Sequence, residues 1–222
     1  MRTFKFAKID LMRVKKMKLW ILALFPVISV ILTMNNNSTP YFGLFYCVFG
    51  GMILGTLPFN LETREEAGFV RMLPSKPGDQ VLGHFIFGFC TVFVCILLGV
   101  GSLAAARLLD HSFSRQLLSG RELIGASCLT FALCLVCLAA GDLIFTVTRF
   151  ETVKGMTIVR IIPPFLFLFG ANFLLETDQG LLRTILELLL WGNGLAALAV
   201  SIVLFCIVAV IAARISAAKW EG

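Results

Sequence analysis

Six stretches of this chain carry apolar residues on every side of a would-be helix, and its charged residues gather in the intervals between them. The stretches are 18–34, 41–61, 81–106, 123–148, 156–175 and 188–213. A bilayer core about 30 Å thick needs about 20 helical residues, and each stretch reaches that length alone or with its flanks. Lipid offers no partner to a backbone N–H or C=O, so runs this long must close their hydrogen bonds internally, as helices. Strand-length alternation of polar and apolar residues does not recur, which excludes a membrane barrel. The pattern predicts an all-α membrane protein, one transmembrane domain over residues 1–222 with six transmembrane helices.

The intervals have patterns of their own. Residues 1–17 are basic, and on a helix Phe4, Ala7, Leu11 and Val14 share one face with Lys5, Arg13 and Lys16 largely opposite. That arrangement predicts an interfacial helix lying along the membrane before the first span. The longest charged interval is 62–80, ETREEAGFVRMLPSKPGDQ. As a helix it places Glu62, Glu65, Glu66, Phe69 and Leu73 on one face, with Arg64 and Arg71 projecting from the other. Pro74 stops it, Lys76-Pro77-Gly78 turns, and Asp79 is placed to cap the third span. An acidic and apolar bar fixed at both ends by membrane helices suits a docking partner better than plain solvent. Between spans five and six, Leu181, Leu182, Ile185 and Leu186 recur at helical spacing and predict a short helix at the outer surface.

Charge then fixes orientation. Hydrophobic residues make up 59% of the chain and charged residues 14%, outside the range of soluble domains. Fifteen of the nineteen Lys and Arg fall on the side of residues 1–17 and 62–80; Arg107, Arg115, Arg121 and Arg183 fall on the other. Positive charge stays inside, so both termini are expected in the cytoplasm of a multi-pass cell-membrane protein. Topology and anionic headgroups account for the net charge of +6 without a nucleic-acid partner. The first apolar run ends in Met34-Asn35-Asn36-Asn37 with no small-residue cleavage pattern, so it reads as a retained anchor. All seven cysteines lie within apolar spans, and Cys134 and Cys137, though spaced CxxC, read as small apolar residues rather than ligands.

Few residues offer chemistry. Asp142 is the one acid well inside a span, a functional candidate by default; its position about two turns from the inner end favours a pair with Arg149 or Arg160. Pro163 and Pro164 break the fifth span, and Asn172 follows about two turns on, a combination that lines a cavity or packs as a kink. Gly50, Gly51, Gly55, Gly99 and Gly101 permit close helix approach. Catalysis finds no support: there is no phosphate-binding GxxxxGK[ST], no HExxH and no nucleophile elbow. Glu65-Glu66 followed by Arg71 misses the EExxxR signature of intramembrane CAAX-type proteases by one residue. His84, at a helix start, and His111, in an outer loop, do not converge with it on a metal. An ATP-independent secondary transporter or a membrane scaffold is the remaining alternative, but only the fifth span is clearly broken where a transporter would show two such spans.

Four features resemble the type-2 ABC-transporter permeases, especially small bacterial six-span members. They are the basic lead-in at residues 4–11, the inner segment 62–80, its Met72-Leu73-Pro74-Ser75 turn, and the short outer helix before span six. The resemblance implies a non-catalytic permease subunit that pairs with a second permease, identical or different, and with a separate ABC ATP-binding subunit. ATP and Mg would be held by that subunit, with no cofactor on this chain. It also implies that the bar between spans two and three is a coupling helix, with Glu62, Arg64, Glu65, Glu66, Phe69, Arg71 and Leu73 as its contact candidates. Asp142, Pro163, Pro164 and Asn172 then become candidates for cavity or gating roles. Relatives of this kind export peptides or toxins, lipids or drugs.

Overall fold

The structure, a computed structural model, describes residues 2–16, 24, 26–31, 50–55, 76–109, 120–147, 162, 166 and 194–220, and among these all but Lys76 are helical. Four long helices result: α1 (Arg2–Lys16), α2 (Pro77–Leu109), α3 (Gly120–Val147) and α4 (Gly194–Trp220). Three are long and apolar enough to cross a membrane, over Pro77–Ala105, Ser127–Ile144 and Gly194–Ala218. These are the predicted third, fourth and sixth spans. Of the first, second and fifth, the described residues are helical fragments. The segment 56–75, with the predicted coupling helix, and the predicted outer helix near 181–186 lie outside the described residues.

Two boundaries move. α2 begins at Pro77, not at Val81, because proline's fixed φ suits the first helical position and its missing N–H costs nothing there. Lys76 therefore takes the capping position, its carbonyl accepting the Asp79 N–H at 2.9 Å. Asp79 lies inside the first turn instead of ahead of it, where a carboxylate complements the positive helix end. At the other end of the chain, α4 runs past Ala213 to Trp220. Its alanine-rich continuation has high helix propensity, so emergence from the apolar stretch does not end the helix.

α2 runs antiparallel to α3 and α4, and those two run side by side in the same direction. Gly88 of α2 lies against Leu138 of α3 while Phe93, farther along α2, meets Phe131 at 6.1 Å, so the register descends as α2 ascends. A Cβ on Gly78, near the start of α2, would sit 3.2 Å from the Ala213 carbonyl near the end of α4. Phe85, Phe89, Phe131 and Phe205 tie the three helices together, with Phe85 and Phe205 edge to face at 5.4 Å. Around them Val92, Leu135, Leu138, Ala209 and Ala212 are buried. Lipid tails are as apolar as these side chains, so the gain comes from close fit rather than escape from water. The outward stripe of α4, including Val203, Ile207 and Val210, is correspondingly exposed.

Close fit shows in the glycines. A Cβ on Gly55 would meet the Gly88 Cα at 3.2 Å, and one on Gly51 would meet the Cys95 Cβ at 2.7 Å, so the second span rides directly on α2. Among the described residues, nothing lies within 4 Å of that position on Gly101. Gly83, which periodicity did not single out, is the tightest: an added Cβ would stand 2.5 Å from the Phe6 Cβ of α1. Gly83→Ala should therefore lower thermal stability in detergent, by about 1–3 kcal/mol for an overpacked contact. Gly101→Ala should leave it unchanged or raise it by up to about 1 kcal/mol through helix propensity. Equal effects of the two substitutions would contradict this packing.

Candidate functional site

The site is the corner where α1 crosses the first turns of α2, directly after the 62–76 interval in the chain. α1 is helical as predicted, and the face it turns to the protein is not its apolar arc. Phe6 and Asp10 are buried while Phe4 and Leu11 are exposed, Phe4 to 68%. The reason is solvent: in a membrane an apolar side chain is content in lipid, and the groups that must find protein are the polar ones.

Asp10 finds His84. The Nδ1 of His84 lies 2.6 Å from Oδ2 of Asp10, both residues buried, across 74 positions of chain. Facing a carboxylate oxygen, Nδ1 carries a proton and donates it. Its shortness is that of a charge-assisted bond, roughly twice as strong as one between neutral groups. Breaking such a pair by removing one member typically costs about 3–5 kcal/mol, because the other is left buried and uncompensated. Two features seat the pair. Gly83, next to His84, lets the backbone of α1 approach closely, as an added Cβ would also come within 3.2 Å of the Ala7 nitrogen. One turn earlier, Thr3 Oγ1 donates a long 3.4 Å bond to Asp79. Thr3, Phe6, Ala7 and Asp10 thus form the docking edge of α1, and Asp79, Gly83 and His84 the matching edge of α2.

His84 is accordingly not at a helix start, as the sequence suggested, but two turns inside α2. A longer-range signal was available: Asp10 is the only acid in α1, and an acid in an interfacial helix needs a reason. The partner 74 residues away left no local pattern to find.

Asp142 belongs to the same end of the bundle. Gly88 matches Leu138, so one turn toward the start of α2 and one turn on along α3 bring His84 and Asp142 to the same axial level. Asp142 is 0% exposed, and its backbone carbonyl accepts the Thr146 hydroxyl at 2.8 Å. The proposed partners Arg149 and Arg160 lie outside the described residues, as do Glu62, Arg64, Glu65, Glu66, Phe69, Arg71, Leu73, Pro163, Pro164 and Asn172. At the opposite end of α2, Ser102 donates to the Gly99 carbonyl at 2.7 Å, which spends its one proton. Ser29 of the first span then donates to Ser102 at 2.8 Å, a buried tie between the spans. Among the described residues no three His, Cys, Asp or Glu side chains are grouped to hold a metal. The six described cysteines are free thiols.

No curated protein and no solved structure matches the chain. A family model described as ABC-2 family transporter protein matches residues 7–217, from the docking edge of α1 to the last turn of α4. That range covers nearly all of the helical architecture described above, and the chain belongs to the ABC-2 family of transporter proteins.

Proposed function

We propose that this chain is the membrane permease subunit of an ATP-driven exporter, powered by a separate ABC ATP-binding subunit that holds ATP and Mg. The family match over residues 7–217 is the observation that carries this reading. The chain lacks a phosphate-binding GxxxxGK[ST] loop of its own, so the family's energy source is assigned to another polypeptide. A second permease subunit completes the pathway, and the complex resides in a bacterial cell membrane with both termini cytoplasmic. The packing of α1 and the end of α4 against the same end of α2 supports that topology, together with the charge bias.

The geometry suggests how force would travel. In this reading the interval 62–76 is the coupling element, and Glu62, Arg64, Glu65, Glu66, Phe69, Arg71 and Leu73 meet the ATP-binding subunit. The interval ends where α2 begins, and α2 is one continuous helix of 33 residues, about 50 Å long at 1.5 Å per residue. A push at Pro77 is delivered to a rod that crosses the bilayer. α1 moves with it, because Asp10 cannot part from His84 without stranding a buried charge. ATP binding would then shift the population between inward- and outward-open states by its differential affinity for them. Asp142, level with His84, and the Pro163, Pro164 and Asn172 break in span five are assigned to gating. The cargo is hydrophobic or amphipathic, with a peptide or toxin the best fit to the resemblance.

Purification of the intact chain from its native membrane should bring down an ATP-binding subunit whose ATPase activity depends on it. Reversal of Glu65 and Glu66 to Lys should abolish that association or lower the stimulated rate by about tenfold or more, which is about 1.4 kcal/mol per decade. Unchanged association and rate would remove the coupling assignment. Asp142→Asn keeps the side-chain volume and removes the charge. It should leave the complex intact while slowing its coupled ATPase cycle, and a wild-type rate would exclude a gating role.

A further inference from the structure

Beside the α1–α2 docking edge lies a groove of about 420 Å³, the size of a small-molecule site. α1 supplies Phe4, Lys8 and Leu11 to it, and α2 supplies Cys90, Thr91 and Val94. The Thr91 hydroxyl is already spent, donating to the Phe87 carbonyl at 2.7 Å, so the wall it offers is a methyl group. Phe4, Leu11, Cys90 and Val94 are exposed along the groove, and α2 is a membrane-crossing helix there, so the opening is toward lipid. Lys8 is the charged residue among the described lining.

The surface charge that α1 itself brings to the groove is one-sided for a structural reason. Every basic residue of α1 would ordinarily be offset in part by its one acid, but Asp10 is turned inward onto His84. Lys5 and Lys8 are exposed on the same helix with no α1 carboxylate left at the surface. An apolar trough that opens sideways into a bilayer, with ammonium groups at its interfacial rim, is complementary to one kind of molecule. We propose that the groove between α1 and α2 binds an anionic glycerophospholipid, one acyl chain along Phe4, Leu11, Cys90 and Val94 and the headgroup phosphate at Lys8, with Lys5 one turn back on α1 adding to the positive field. The bound lipid is wedged against the corner that joins α1 to α2, so its occupancy reports on that corner.

Native mass spectrometry of the full chain, with phosphatidylglycerol or phosphatidylcholine added to detergent, tests the site. The wild type should retain phosphatidylglycerol in about tenfold excess over phosphatidylcholine, given Lys8 at the headgroup and Lys5 one turn away. Lys5→Gln/Lys8→Gln, both on exposed positions, should lose that preference while keeping a monodisperse elution profile. Cys90→Trp, which fills the trough from an exposed position, should lower retention of both lipids. Equal retention of the two lipids by the wild type would reduce the groove to bulk solvation and overturn the proposal. So would a preference that survives the lysine substitutions, or lipid retention indifferent to Cys90→Trp. Displacement of the lipid by an amphipathic peptide held more tightly than phosphatidylglycerol would assign the groove to cargo instead.

Discussion

A carboxylate and an imidazole, 2.6 Å apart and closed off from solvent, decide how the amino-terminal helix sits on this protein. A buried ionic group is tolerated only with its partner in place. Asp10 therefore holds α1 to α2 by the penalty for leaving as much as by the bond itself. Gly83 supplies the room, since any side chain there would collide with Phe6, and Thr3 and Asp79 fix the approach one turn earlier. The result joins the amino-terminal helix to the head of a long rod, at the point where the chain emerges from its longest charged interval.

The remainder of the bundle follows the same economy of polar groups. α2, α3 and α4 are held by the ring cluster of Phe85, Phe89, Phe131 and Phe205 and by glycines that let backbones touch. Buried polar residues such as Asp10, Ser29, His84, Ser102 and Asp142 sit between helices rather than on the lipid side. Large apolar residues such as Phe4, Val203 and Ile207 face outward. This inverts the rule for soluble proteins, where an exposed apolar stripe of that length would mark an interface.

That inversion explains what was legible beforehand. Span existence and helical class were plain, because length and apolarity alone specify a membrane helix. The third, fourth and sixth spans appear where expected to within a few turns. The apolar arc of α1 was legible from its spacing, and Phe4 and Leu11 lie exposed on it, but the docking edge carrying Asp10 has no periodic signal of its own. Asp79 was misplaced as a cap because Pro77 starts the helix two residues sooner. His84 was passed over since its meaning depends on a residue 74 positions away, beyond the reach of periodicity. The burial of Asp142 was foreseeable from chemistry alone, as a carboxylate within a span has nowhere else to go.

In the mechanism proposed above the consequence is mechanical: α1 and α2 would respond to a push as one body only if the Asp10–His84 pair couples them. A double-substitution cycle of Asp10→Asn and His84→Gln, read as unfolding free energy in mixed micelles, measures that coupling directly. The account predicts that each single change is strongly destabilising, while the double change costs little more than either alone. The interaction energy would then approach the cost of one single change, about 3 kcal/mol or more. Additive costs, with no interaction term, would contradict it.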